Sequence, residues 1–423
     1  MRDVVVAGAV RTPIGRFGGA LSTLSPAQLG AAAAREALRR AGVAPAQVDD
    51  VLFGCARQAG AGPNVARQVA WRAGVPPEIP AATLNMACAS SLKAIDLAFR
   101  AVRDGDAQVV LAGGVESMSR VPYLLTGARW GYRMGDQPLV DAMYQDGFLC
   151  PLSEMMMGET AERLAEQYHV GREEQDAFAL RSQQRAARAQ VQGRFDAEIV
   201  PVHVPRVPQR RLSSDAERGF TPREALGLKM GPERGRASDE DDVSRDEHLR
   251  PETTAATLAK LPPVFKTEGG TVTAGNSSGI TDGAAAMVVM SAERAAELGV
   301  KPMATVVGLA SAGVDPRVMG IGVVPAVRRL LEKCSLRLQD FDLVELNEAF
   351  AAQVIACDRE LRLDPERLNV NGGAIALGHP IGATGARLVV SLLHEMARRR
   401  VGRGLATLCV SGGMGMAAAF EAA

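Results

Sequence analysis

Four short segments hold residues whose types suit chemistry. NMACASSLKA (85–94) places Cys88 just ahead of a helical pattern. A cysteine there meets the first free backbone N–H groups of the helix, and the helix dipole favours its thiolate. GGAIALGHPIGATG (372–385) encloses His379 among five glycines, which allow tight turns and close backbone approach. Cys plus His is the minimal pair for an activated thiol nucleophile. ELNEAF (345–350) ends an apolar strand pattern with Asn347, whose amide can hold a water or a substrate oxygen. CVSGGMG (409–415) sets a second thiol, Cys409, before Gly-rich backbone whose N–H groups can stabilise an oxyanion. Each alone is weak, since a lone Cys or His is more often structural.

The elements that must position them are duplicated. REALRRAGVAPAQVDDVLFGC (35–55) and VRRLLEKCSLRLQDFDLVELN (327–347) match without a gap as helix, turn, Asp and strand. This alignment pairs Asp50 with Asp342, and at nearly the same offset Cys88 pairs with His379. After Cys88, the positions Leu92, Ile95, Phe99 and Val102 recur at helical spacing, and Asp104-Gly105-Asp106 stops the helix. VVLAGG (109–114) then reads as strand and Gly turn. After His379 a helix around Leu388, Leu392 and Met396 leads to LATLCVSGG (405–413), the same strand and turn. Two copies of one α/β unit imply two packed, layered sheets. Strand ends carry the ligands in such sheets, so Cys88 and His379 are expected to face each other across a pseudo-twofold.

Residues 121–269 lack the repeat. They contain Met155, Met156 and Met157 at a bend, a helix pair around 160–192, and a polar loop-rich stretch from about 205 to 250. The chain has 423 residues and zero formal net charge, with 47% hydrophobic residues. That balance gives no general drive toward nucleic acid or an acidic membrane. Every apolar run is shorter than the roughly 18 residues a membrane span needs. The apolar N-terminus, Val4 to Val10, reads as a buried strand, not a signal peptide. Six dispersed cysteines without a metal-type pair suggest free thiols in a reducing cytoplasm.

The chain resembles the thiolase family over essentially its whole length. The four segments carry the resemblance, together with AVRTPIGRFGG (9–19), AGGVESMS (112–119), EQDAFALRSQQRA (174–186) and TVTAGNSSGITDGAAA (271–286). It implies a five-layered α/β sandwich of two duplicated halves with an inserted loop domain. The expected boundaries are 1–120 plus 270–293 for the first half, 121–269 for the insertion and 294–423 for the second half.

By the same resemblance Cys88 holds the acyl group as a thioester and His379 is the base that activates it. Cys409 moves a proton at the α-carbon of acetyl-CoA. Asn347 anchors a water that, with His379, binds the thioester oxygen. The backbone N–H groups of Cys88 and Ser411 form a second oxyanion hole. Ser278, Arg250 and Met157 line the coenzyme A site. The substrates implied are acetyl-CoA, 3-ketoacyl-CoA and coenzyme A, with no metal or other cofactor. A homodimer or homotetramer is expected, with no nucleic-acid or membrane partner.

Three departures stand out. Cys88-Ala89-Ser90-Ser91 replaces two glycines usual in the nucleophile motif, which is expected to narrow the space beside the thiol and favour short acyl groups. Ser411 stands where Gly is common, and Thr281 where Asn is common. The stretch 205–245 is longer than in compact members. Its arginines, Arg206, Arg210, Arg211, Arg218, Arg223, Arg234 and Arg236, are candidates for the coenzyme A phosphates. Two other readings compete. One is a decarboxylating ketoacyl synthase on the same fold, against which Cys409 and the Gly-His-Pro context argue. The other is a catalytically silent binding protein, against which the four filled positions argue.

Overall fold

A computed structural model describes residues 2–205 and 242–423. The arginines from Arg206 to Arg236 named above lie outside the described residues. The main sheet runs in the order Leu343–Leu346, Arg403–Val410, Met414–Ala422, Ala304–Gly313, Val4–Arg11, Thr281–Ser291, Val109–Ser117, Asp50–Gly54, Ala81–Leu84. The halves repeat one pattern. Each has two antiparallel steps, Val4–Arg11 to Thr281–Ser291 to Val109–Ser117 in one and Ala304–Gly313 to Met414–Ala422 to Arg403–Val410 in the other. Each then takes a parallel step, to Asp50–Gly54 and to Leu343–Leu346. The half-sheets join through a short antiparallel contact, Val5 opposite Thr305 and Val6 opposite Ala304. The duplication did not announce this link.

Strand alternation builds the layers. Val4 and Val6 face one core, together with Leu92, Ile95, Leu388, Leu392, Leu408 and Phe420. The helices Ser90–Asp104 and Ile381–Arg399 lie in that core, between the two half-sheets. Val5 and Ala7 face the other way, under the helix Pro26–Ala41. In the second half Val344, Leu405 and Ala417 pack under Val323–Cys334 and Ala351–Leu361. Helix, sheet, helix, sheet, helix is the five-layered α/β sandwich expected.

The repeat is real, but one pairing shifts. Asp342 accepts the N–H groups of Gly402 and Arg403, each at 2.9 Å. In the first half Asp49, not Asp50, accepts those of Gln108 and Val109, at 2.8 and 2.9 Å. Gapless alignment favoured the wrong member of an Asp pair, because only one of the two side chains can turn toward the next strand.

The middle of the chain holds the expected helix pair, Met157–Gln167 and Arg172–Val191. Both sides of the undescribed stretch are tied to the first strand through Arg11, which is 1% exposed. Its Nε donates to Glu198 at 2.7 Å, and Nη1 and Nη2 donate to Asp246 at 2.7 and 2.8 Å. Burial opposes the Arg11 charge, and the two carboxylates more than offset it, raising its pKa.

Candidate active site

Cys88 sits in a single tight turn, Ala87–Ala89, that opens directly into the helix Ser90–Asp104. Ala87 has φ 45°, a left-handed conformation that costs an alanine on the order of 1–2 kcal/mol. Neighbouring polar side chains hold it there. Asn85 Oδ1 accepts the Ala87 N–H at 3.0 Å. Ser90 Oγ accepts the Met86 N–H at 2.9 Å and donates to the Ala87 carbonyl at 2.6 Å. The thiol carried by this turn is half-buried.

The serine that replaces a glycine next to it is otherwise employed. Ser91 is fully buried, and its Oγ accepts the Ala386 N–H at 2.9 Å from the facing helix. Ala89 is buried in the central core. The expectation that both residues narrow the space beside the thiol is therefore corrected for Ser91, whose hydroxyl is committed to the helix–helix contact.

His379 comes from the short Gly378–Pro380 link before the helix Ile381–Arg399. Its own N–H donates to the Gly279 carbonyl at 3.1 Å. Nδ1 lies 2.6 Å from Thr384 Oγ1, and that hydroxyl donates to the Pro380 carbonyl at 3.0 Å. With its proton engaged, the hydroxyl accepts from Nδ1–H, which leaves the lone pair on Nε2. Nε2 is 3.4 Å from Asn347 Nδ2. Burial, reinforced by the charges of Arg387 and Arg57, lowers the His379 pKa to about 3, so the ring is neutral at physiological pH. Asn347 is fully buried at the end of strand Leu343–Leu346, and its Oδ1 has no hydrogen-bond partner among the described residues.

Cys409 lies on the strand Arg403–Val410 and is 1% exposed. Burial raises its pKa well above the usual thiol value, and repulsion from Cys88 and Cys357 adds to this. At Cys88 burial also raises the pKa. It is opposed there by the Ser411 N–H, the Arg57 charge and the Cys88 N–H. The two N–H groups expected to form an oxyanion hole thus both favour the charged form of the Cys88 thiol. Gly412 and Gly413, with φ of 86° and 83°, turn the chain immediately after Ser411, in a left-handed conformation that favours glycine.

Ser278 precedes Gly279, whose carbonyl holds the His379 amide. Met157 opens a helix and packs on the cluster that contains Phe350 and Cys409. Arg250 is exposed, with its amide on Gln183 Oε1 at 3.0 Å. Between Arg250 and His379 stands a residue the sequence reading missed. His248 lies flat against Gly279, where an added Cβ would come within 2.3 Å of the ring. Burial, aided by Arg250, lowers its pKa to about 4.

Glu116 was missed as well. It is fully buried and accepts the N–H groups of Ala56 (3.1 Å), Arg57 (3.0 Å) and Gly382 (2.8 Å). It therefore ties the first half to the loop that carries His379. Its only sequence signal was its place in AGGVESMS. Among the described residues no group of three or more His, Cys, Asp or Glu is arranged to hold a metal, and no helix is long and apolar enough to cross a membrane.

Comparison with known proteins bears directly on this arrangement. Residues 4–226 and 232–293 match the thiolase N-terminal domain, and residues 300–422 match the thiolase C-terminal domain. An acetyl-CoA acetyltransferase of Syntrophomonas wolfei is 49% identical over 100% of this chain and 99% of its own. One of Cupriavidus necator is 48% identical over 100% of both. The crystal structure of the Bacillus anthracis acetyl-CoA acetyltransferase superposes with a TM-score of 0.90 at 44% identity, covering 100% of this chain and 99% of that one. Human mitochondrial 3-ketoacyl-CoA thiolase gives 0.90 at 38% identity, with the same coverage. Fold and relatives together define an acyltransferase. The chain belongs to the thiolase family, and its activity is that of a thiolase.

Proposed function

We propose that this thiolase condenses two acetyl-CoA molecules to acetoacetyl-CoA and coenzyme A, and in reverse cleaves short 3-ketoacyl-CoA, through an acyl group on Cys88. The observation that carries the reading is a half-buried thiol at the start of one central helix and a buried, neutral histidine at the start of the helix packed against it. In cleavage, His379 Nε2 takes the Cys88 proton and the sulfur attacks the 3-keto carbon. The N–H groups of Cys88 and Ser411 receive the developing oxyanion. The C2–C3 bond breaks, and the acetyl-CoA enolate takes its proton from Cys409, a thiol whose burial keeps it protonated at rest. Asn347, through its unpartnered Oδ1, holds a water that joins His379 at the thioester oxygen. Free coenzyme A then accepts the acyl group from Cys88. Ser278, Arg250 and Met157 line the coenzyme A side, and no cofactor takes part.

Cleavage and condensation share every step, so one experiment tests both. Incubation with acetyl-CoA is expected to add one acetyl group at Cys88, detected by peptide mass spectrometry. Cys88→Ala is expected to abolish both the adduct and thiolysis. An adduct on another cysteine, with turnover intact in Cys88→Ala, overturns the assignment.

The same reading divides the chain at 1–120 plus 270–293, 121–269 and 294–423, and places it in the cytoplasm, where six free cysteines are at home. It also makes the protein a homodimer or homotetramer. The edge strand Ala81–Leu84, partly exposed and leading into the Cys88 turn, supports this. Light scattering at the monomer mass would remove that part.

A further inference from the structure

A charged group stands beside the thiol, and the reaction described above gives it no contact with substrate. Arg57 is 8% exposed, and its Nε is buried without a hydrogen-bond partner among the described residues. The nearby carboxylate of Glu116 is occupied by three backbone N–H groups, one of them that of Arg57 itself. The guanidinium is packed over the backbone of Gly147. A Cβ there would approach Nη2 to 2.2 Å and Cζ to 2.5 Å, so only glycine leaves room for it. The adjacent Ala56 forms a buried apolar cluster with Met118, Met143 and Ile381, and Cys88 and Phe148 pack on that cluster. The Arg57 charge acts on both Cys88 and His379.

A buried arginine is costly unless its donors are satisfied. A purely structural arginine would have its planar fork of five donors engaged by protein groups. Here Nε has no partner among the described residues, and the fork lies next to an apolar cluster on which the acyl-bearing sulfur packs. The group that such a fork matches best is a carboxylate. We propose that Arg57 determines specificity for the acyl half of the substrate, receiving a carboxylate at the far end of a short 3-ketoacyl chain whose methylenes lie along the Ala56, Met118, Met143 and Ile381 cluster. This rests on the thiolase reading and narrows its substrate class. The bonds made and broken are unchanged. The acyl group left on Cys88 simply ends in an anion.

The test compares two six-carbon substrates in thiolysis, 3-oxoadipyl-CoA with a carboxylate end and 3-oxohexanoyl-CoA with a methyl end. The readout is the ratio of their kcat/KM values. A hydrogen bond to a charged group supports a wild-type ratio of at least about tenfold in favour of the carboxylate. Arg57→Met is expected to lower the ratio at least about tenfold, and Arg57→Lys to keep part of it. Gly147→Ala, which displaces the guanidinium without removing it, is also expected to lower the ratio. A wild-type ratio at or below one overturns the proposal. So does an Arg57→Met ratio equal to that of wild type, even if both rates fall. Should Arg57→Met not fold, the wild-type ratio and the other two variants decide. Acetylation of Cys88 by acetyl-CoA is measured alongside. Its absence in wild type counts against the thiolase chemistry, and its presence with a ratio at or below one counts against Arg57 alone.

Discussion

At the two thiols, burial and local partners separate the roles. Burial raises the pKa of both thiols; at Cys88 the Ser411 N–H, the Arg57 charge and its own N–H oppose the rise, whereas at Cys409 the repulsion of two other cysteines adds to it. One sulfur has groups beside it that favour its anion, and the other keeps its proton for delivery. Their variants should therefore fail at different steps. Cys409→Ala is expected to accept acetyl on Cys88 yet lose condensation by at least about 10²–10⁴-fold, the usual worth of a general acid–base group. Exchange of the acetyl-CoA α-protons with deuterated solvent is expected to fall in parallel. Near wild-type condensation in Cys409→Ala would reduce Cys409 to a packed strand-end thiol and favour a decarboxylating synthase.

The elements matter because they deliver these groups from two directions. The Cys88 turn is strained at Ala87 and held by Asn85 and Ser90. Ala87→Gly should relieve the strain, and its Tm is expected to equal or exceed that of wild type. Ser90→Ala strips two hydrogen bonds from the turn, and its expected cost is about 1–3 kcal/mol in denaturant unfolding, with a lower kcat. The reverse order of stabilities would mean that the turn is not strained. The second element is the contact between helices Ser90–Asp104 and Ile381–Arg399. At Gly385 an added Cβ would meet Leu92 Cβ and N at 2.6 Å. Gly385→Val must push the helices apart, at a typical overpacking cost of about 1–3 kcal/mol. Because one helix begins just after Cys88 and the other just after His379, thermal unfolding and Cys88 acylation are expected to suffer together. Unaltered acylation in a destabilised Gly385→Val would show the site to be insulated from the helix contact.

For the whole molecule, the buried neutral histidine links function to acid stability. The His379 pKa drops from 6.5 to about 3 on folding. Between these values the unfolded chain binds a proton that the folded chain refuses. Stability tied to this group is therefore complete above pH 6.5 and is lost as pH falls toward 3. In urea unfolding, wild type is expected to lose more stability than His379→Asn between pH 6.5 and pH 4. Parallel pH profiles for the two proteins would mean that the ring is not kept neutral by burial. Glu345 acts oppositely. Burial raises its pKa from 4.5 to about 8, with Arg387 opposing that rise. Its contribution is complete below pH 4.5 and declines as pH climbs through 8. The measured profile sums these two with other buried groups such as His248, and the His379→Asn comparison isolates one of them.

The four chemistry-bearing segments, the duplication and the layered α/β class were legible in the chain itself. Each rests on local pattern: a cysteine before a helix, glycines around a histidine, strand and helix periods repeated at a nearly constant offset. Such signals survive without knowledge of neighbours, because backbone geometry within one element is set by that element's own residues. What tertiary structure alone decided concerns groups far apart in sequence. It chose Asp49 over Asp50 as the partner of the next strand, and turned Ser91 toward Ala386 rather than toward the thiol. It placed Glu116 across Ala56 and Gly382, and laid His248 on Gly279. It left Arg57 buried beside the nucleophile with a donor open. Side-chain direction, burial and the pairing of charges depend on which surfaces meet when two half-sheets close on their helices, and no local pattern carries that information.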